Sequence, residues 1–200
     1  MRIAVSALLA AGLCAAWPMS LAAQETSAPT TSSAKQEKQA QGGSVAELLT
    51  RLAEAQSPED ARSIENRIEV LWSQSGSASA DLLLRRASEA ADDKDLDTAM
   101  ELLNRLNALA PDFAEAWYRR AEIAVHKENY NDAVASLQRA LQLQPAHFLA
   151  QAELGQLLEE LGDKAHALDA YRKALKLDPQ LDGLDDRIRV LTRDVEGQAI

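Results

Sequence analysis

The residues best suited to chemistry in this 200-residue chain are three histidines, His126, His147 and His166, and one cysteine, Cys14. No two histidines stand in a His-Glu-x-x-His pair, and no second cysteine is available to complete a thiolate metal site. Each histidine is therefore read as a solvated residue of a helix. The run Asp93-Lys94-Asp95-Leu96-Asp97 is a faint match to a calcium loop. That loop needs glycine at its sixth place and a bidentate glutamate at its twelfth, where this chain has Thr98 and Asn104. A glycine-rich phosphate loop and a Gly-x-Ser-x-Gly elbow are both missing. No catalytic residue, no metal ligand and no cofactor is expected, and the chain reads as a non-enzyme.

Charge narrows the partners. The formal net charge is −10, which disfavours nucleic acid and anionic lipid, because both require clustered Lys and Arg. Alanine and leucine are abundant and aromatics make up 4% of the chain, a composition that favours helices over strands.

The elements that carry these residues begin with a leader. Arg2 is followed by an uncharged apolar run from Ile3 to Trp17, then Pro18, then small residues at Ser20, Ala22 and Ala23. This is the pattern of a cleavable export signal over 1–22, with cleavage after Ala22 or Ala23. The run has 15 residues, whereas a membrane span needs about 20, so no transmembrane segment is expected in the mature chain. Leu13 precedes Cys14 where a lipidation signal would carry a small residue. Residues 23–43, rich in Ser, Thr, Gln, Ala and Gly, form an expected disordered tether.

A period of 34 residues organises the rest. Pro111, Pro145 and Pro179 repeat at that step, as do Ala99, Ala133 and Ala167. So do Leu103, Leu137 and Tyr171, and Ala87, Ala121 and Gly155. Such self-similarity marks stacked supersecondary units. Small residues at the eighth and twentieth positions let two antiparallel helices approach closely, and the proline closes each unit. Asp95, Asn131 and Asp163 are placed to cap the second helix of each unit, and Gly162 suits a left-handed helix stop.

These positions resemble the tetratricopeptide repeat (TPR), whose signature of Trp, Leu, Gly, Tyr, Ala, Phe and Pro spans 34 residues. The middle unit matches through Trp117, Ala121, Tyr130, Ala133, Leu137, Ala140 and Pro145. The third matches through Leu154, Gly155, Leu158, Ala167, Tyr171, Ala174 and Pro179. Arg86 and Arg120 depart from it, standing where the family usually has leucine, and Leu106 takes an alanine place. The resemblance implies an all-α helix-turn-helix solenoid with repeats at 80–113, 114–147 and 148–181. Its solenoid helices are expected near 80–92, 96–109, 114–127, 131–143, 148–161 and 164–177.

Two flanks complete the expected architecture. Ser44-Val45-Ala46-Glu47 is a capping box and Ser57-Pro58 a second helix start. They predict an N-terminal helical hairpin over 44–73, with helices near 45–55 and 58–73, packed on the first repeat. A capping helix near 184–195, within a segment 182–200, carries the apolar stripe Leu184, Ile188, Leu191 and Val195.

The family resemblance also implies a binding surface, the concave face lined by the first helix of each repeat. It points to Asp81, Leu84 and Ser88 in the first repeat, with Ala91 and Asp92. The second supplies Glu115, Tyr118, Glu122 and His126, with Val125. The third supplies Leu149, Ala152, Gln156 and Glu159, with Glu160. The face is acidic, with apolar patches at Leu84, Tyr118 and Leu149, so the implied partner is a protein or peptide of basic character. Some TPR domains clamp a C-terminal carboxylate with Lys, Asn and Arg. Here Leu84, Ser88, Leu149 and Glu153 hold those places and only Arg119 fits, which disfavours such a ligand.

The chain is similar to short exported TPR proteins of alpha-proteobacteria. That likeness implies a periplasmic scaffold for protein–protein interaction in cell-envelope integrity or assembly. Two alternatives stay open: a periplasmic assembly factor for an unfolded client such as an apocytochrome c, and an enzyme subunit without its own active site.

Overall fold

The computed structural model describes residues 43–197. The expected export signal and almost all of the expected tether lie outside the described residues. Among the described residues there are nine α-helices and no strand. They are α1 (Val45–Ala53), α2 (Pro58–Trp72), α3 (Ala78–Asp92), α4 (Leu96–Leu109), α5 (Ala114–His126), α6 (Tyr130–Leu143), α7 (Phe148–Glu160), α8 (Lys164–Leu177) and α9 (Leu184–Val195). Every helix expected from the sequence is present, with ends shifted by two residues at most.

Three tight hairpins, α3–α4, α5–α6 and α7–α8, stack in sequence, each pair packing on the next, and α9 closes the stack against α8. Small buried side chains set the close approach. Ala87, Ala99, Ala121, Ala133 and Ala167 are all buried, with Leu103, Leu137 and Tyr171 filling the space between them. At Gly155 a methyl group would lie 2.6 Å from the Tyr171 ring, so only glycine fits there.

The turn inside each hairpin is built alike. Asp95, Asn129 and Asp163 each donate a backbone N–H across the turn, to the carbonyls of Ala90, Ala124 and Leu158 at 2.8 Å, and their side chains then cap the following helix. The middle cap is Asn129, not Asn131, because Asn129 is the residue 34 places from both aspartates. The residue before each cap is left-handed: Lys94 at φ 61°, Glu128 at φ 57° and Gly162 at φ 84°.

The flanks depart from expectation in two ways. The hairpin α1–α2 does not pack on the first repeat. Its Leu48, Leu52, Ala61, Ile64 and Ile68 form one core with Phe148, Leu149, Leu177 and Leu181 of the third repeat. Gln180 Nε2 donates to the Ala55 carbonyl at 3.2 Å, tying the hairpin's turn to the end of that repeat. In α9, Leu191 is buried and Leu184 and Ile188 pack beside it, but Val195 remains exposed.

Candidate functional site

The first helices of the three repeats, α3, α5 and α7, line one face, and the expected binding residues divide on it into three sets. One set borders an open cleft of about 480 Å³ between α3 and α5, where Ser88, Glu122 and His126 stand with Ala91 and Ile123. A second cleft, of about 510 Å³, lies between α5, α7 and the start of α9; Tyr118, Leu149, Ala152 and Gln156 line it beside Glu153.

The third set is consumed by the fold. Leu84 is a core residue of the first repeat and offers no apolar patch to a ligand. Asp81 Oδ1 accepts from the Ser75 backbone N–H at 2.8 Å and from its hydroxyl at 2.6 Å, fixing the linker before α3. Glu159 Oε2 accepts from the Tyr171 hydroxyl and pairs with Arg187 of α9, both at 3.1 Å. Glu115, expected on the open face, is 2% exposed. Tyr118 is 6% exposed, so the patch expected there is also mostly covered.

A polar cluster separates the two clefts. Arg119 Nε donates to Glu115 Oε1 at 2.7 Å and Nη1 to Glu122 Oε2 at 3.0 Å, and Nη2 lies 3.8 Å from Glu69 of α2. Its guanidinium sits 5.3 Å from the centre of the Tyr118 ring. Burial pushes this guanidinium toward losing its proton, but Glu115 and Glu122 overcome that and hold it cationic. Burial likewise pushes the Glu115 carboxyl up, while His147 and Arg119 together hold it below the usual range. Glu153 has less support. Burial first, and then the Glu122 charge, raise its carboxyl to about 7 against the opposing pull of Arg119 and the Tyr118 hydroxyl. Glu69 is raised too, by burial above all.

His147 is the residue the sequence misplaces. It is 1% exposed rather than solvated, its Nδ1 accepting from the Ala150 backbone N–H as the cap of α7. That bond fixes the tautomer, so Nε2 carries the proton and donates to Glu115 Oε2 at 3.3 Å. Trp72 stacks on the imidazole at 4.4 Å between ring centres, and Tyr118 lies at 4.5 Å. His126 and His166 are exposed, as expected. Arg119, Glu69, His147 and Trp72 are thus parts of the face that the helix-position pattern did not select. Only Arg119 carried a signal, as the one matching position of the carboxylate clamp.

Among the described residues, no group of three or more His, Cys, Asp and Glu side chains is placed to hold a metal ion. The chemistry that this face offers is ion pairing, hydrogen bonding and apolar contact.

The family model for the tetratricopeptide repeat matches residues 84–145 and 126–182. A TPR repeat-containing protein of Rhizobium etli is 30% identical over 151 residues, covering 76% of this chain and 74% of that one. This chain belongs to the tetratricopeptide-repeat family. Solved structures agree on the fold. MamA superposes with a TM-score of 0.55 at 23% identity, over 57% of this chain and 67% of its own. The first TPR domain of Spaghetti (RPAP3), solved with an HSP90 peptide bound, gives 0.55 at 16% identity, over 59% and 94%. The matched residues run from within α3 to just past α8, and among the described residues no helix is long and apolar enough to cross a membrane.

Proposed function

We propose that this TPR protein is a non-catalytic scaffold that holds a basic segment of another protein in its groove, acting outside the cytoplasm in the bacterial cell envelope. The observation that carries the reading is the imbalance of charge around Arg119. Four carboxyl groups, those of Glu69, Glu115, Glu122 and Glu153, surround the Arg119 guanidinium. Open clefts flank the cluster on both sides. A lysine or arginine arriving there supplies the missing cation, and the apolar walls beside Ile123 and Leu149 take the neighbouring side chains. The leader pattern at 1–22 supports export and the likeness to short exported alpha-proteobacterial proteins supports the periplasm. Both lie with the sequence rather than the fold.

The test is capture from envelope extract. Tyr118 is too buried to truncate without disturbing the core, so the informative variant is Glu122→Gln with Glu153→Gln, which removes charge and keeps shape. It is expected to weaken capture about tenfold and to flatten its salt dependence, since both lost groups act electrostatically. Lys173→Glu, on the exposed side of α8 where Lys173 pairs with Asp169, is expected to leave capture unchanged. The reverse pattern would place the binding surface elsewhere. Fractionation and N-terminal sequencing test export: a start at Met1 in a cytoplasmic fraction would refute it.

A further inference from the structure

The hairpin α1–α2 lies over part of the surface that the family resemblance assigns to a ligand. Ile64, Ile68 and Trp72, one helical turn apart on α2, face the start of α7 and the end of α8. Glu69 on the same helix reaches Arg119, and Trp72 covers His147, the partner of Glu115. Leu149 is wedged between this core and that of the second repeat.

The apolar fit is good, but the polar fit is poor. Asp178, at the end of α8, is fully buried; its Oδ1 accepts from the Gln180 backbone N–H, and its Oδ2 has no hydrogen-bond partner among the described residues. The Glu65 carboxyl of α2 faces it, sharing a hydrogen bond while Glu65 is protonated and repelling once Glu65 ionises. Trp72 Nε1 is also buried without a partner among the described residues. Glu69 brings a further acid towards Glu115 and Glu122, with Arg119 shared among them. Unpaired buried polar atoms and like charges subtract from the apolar gain, so this interface is weaker than its buried area suggests. Mutual inconsistency of this kind, here combining unpartnered Trp72 and Asp178 atoms with facing acids, is where a fold trades stability for function.

We propose that the hairpin is a displaceable occupant of the groove: a basic segment of the partner reaches Glu115, Tyr118 and Leu149 by moving α2 off them. This rests on the groove reading above. The incoming cation joins Arg119 as counter-ion for Glu115 and Glu122 where Glu69 of α2 had added an acid, and release of α2 separates Glu65 from Asp178. The surface is thereby kept covered until a ligand able to compensate its charge arrives.

A short fluorescein-labelled peptide of alternating lysine and leucine is the probe, followed by anisotropy and by hydrogen exchange on the full chain. Binding is expected to raise exchange across residues 45–72 while α5 and α7 gain protection. Ile68→Asp, which breaks the hairpin core, is expected to tighten binding about tenfold, because the competent state is no longer rare. Glu65→Gln keeps the group facing Asp178 neutral and able to donate to it, without touching the groove, and is expected to weaken binding about threefold. It carries the test in the opposite direction if Ile68→Asp does not fold. Peptide binding with unchanged protection in α1–α2, or wild-type affinity in the folded variants, overturns the displacement while leaving the groove reading intact. Failure of every variant to bind, with native helicity retained, overturns the groove reading and the displacement with it.

Discussion

At the scale of single residues, the contact between Gly155 and Tyr171 shows how little room the repeat leaves. The Tyr171 ring lies where a side chain at 155 would begin, and Tyr171 is itself held by Glu159. Gly155→Ala is expected to destabilise the fold by about 1–3 kcal/mol, since the clash is with a ring fixed by packing. A urea titration reads this directly, and an unchanged midpoint would mean that α7 and α8 are further apart than the structure places them. Arg120 illustrates the opposite case, a family leucine replaced by a polar residue. It finds polar partners between units instead, donating to Asn104 Oδ1 at 2.9 Å and to the buried Ser136 hydroxyl at 2.5 Å. The departure from the family pattern is thus compensated at positions 16 residues away on either side.

At the scale of elements, the three hairpin turns form an internal experiment. Each needs a left-handed residue before its cap, and the chain supplies lysine, glutamate and glycine in turn. Side chains strain that conformation and glycine does not. Glu128 is exposed and has no hydrogen-bonded side-chain contact among the described residues. Glu128→Gly is therefore expected to stabilise the chain by about 0.5–1 kcal/mol, the relief of strain exceeding the entropy glycine adds to the unfolded state. Thermal melts of the variant should shift upward; a downward shift would show that the turn is not left-handed at that position.

At the scale of the whole molecule, docking of α1–α2 should depend on pH. The Glu65 carboxyl is raised to about 7, by burial first and then by Asp178 and Glu69, with Arg62 opposing. A carboxyl raised above its ordinary value of 4.5 favours the docked state while protonated. That contribution is present at low pH and is lost as pH rises through about 7. Exchange of the α1–α2 amides is therefore expected to be faster at pH 8 than at pH 6 after correction for intrinsic rates, and Glu65→Gln should remove most of the difference. Equal protection at both values, or a pH effect that survives in Glu65→Gln, would show that this carboxyl does not govern docking.

What was legible in the sequence is what short-range physics encodes. The 34-residue period, the alanines at close helix crossings, the prolines between units and the caps at Ser44, Ser57, Asp95 and Asp163 each act on neighbours within a turn or one repeat. Those rules account for the nine helices among the described residues and, through the family resemblance, the face on which to look for a partner. They could not say what would cover that face. The hairpin's apolar stripe suits any greasy groove of the right width. Its choice of the third repeat over the first depends on Phe148, Leu177 and Leu181 meeting Ile64 and Ile68 across 80 to 117 residues of chain, a pairing that no periodicity records. The same long-range contact buries His147 under Trp72 and brings Glu69 to Arg119, turning an exposed helix start into a closed polar cluster. Local hydrogen bonds and nearest-neighbour packing made the solenoid readable residue by residue; the covering of its groove was decided only when distant surfaces competed for the same apolar area.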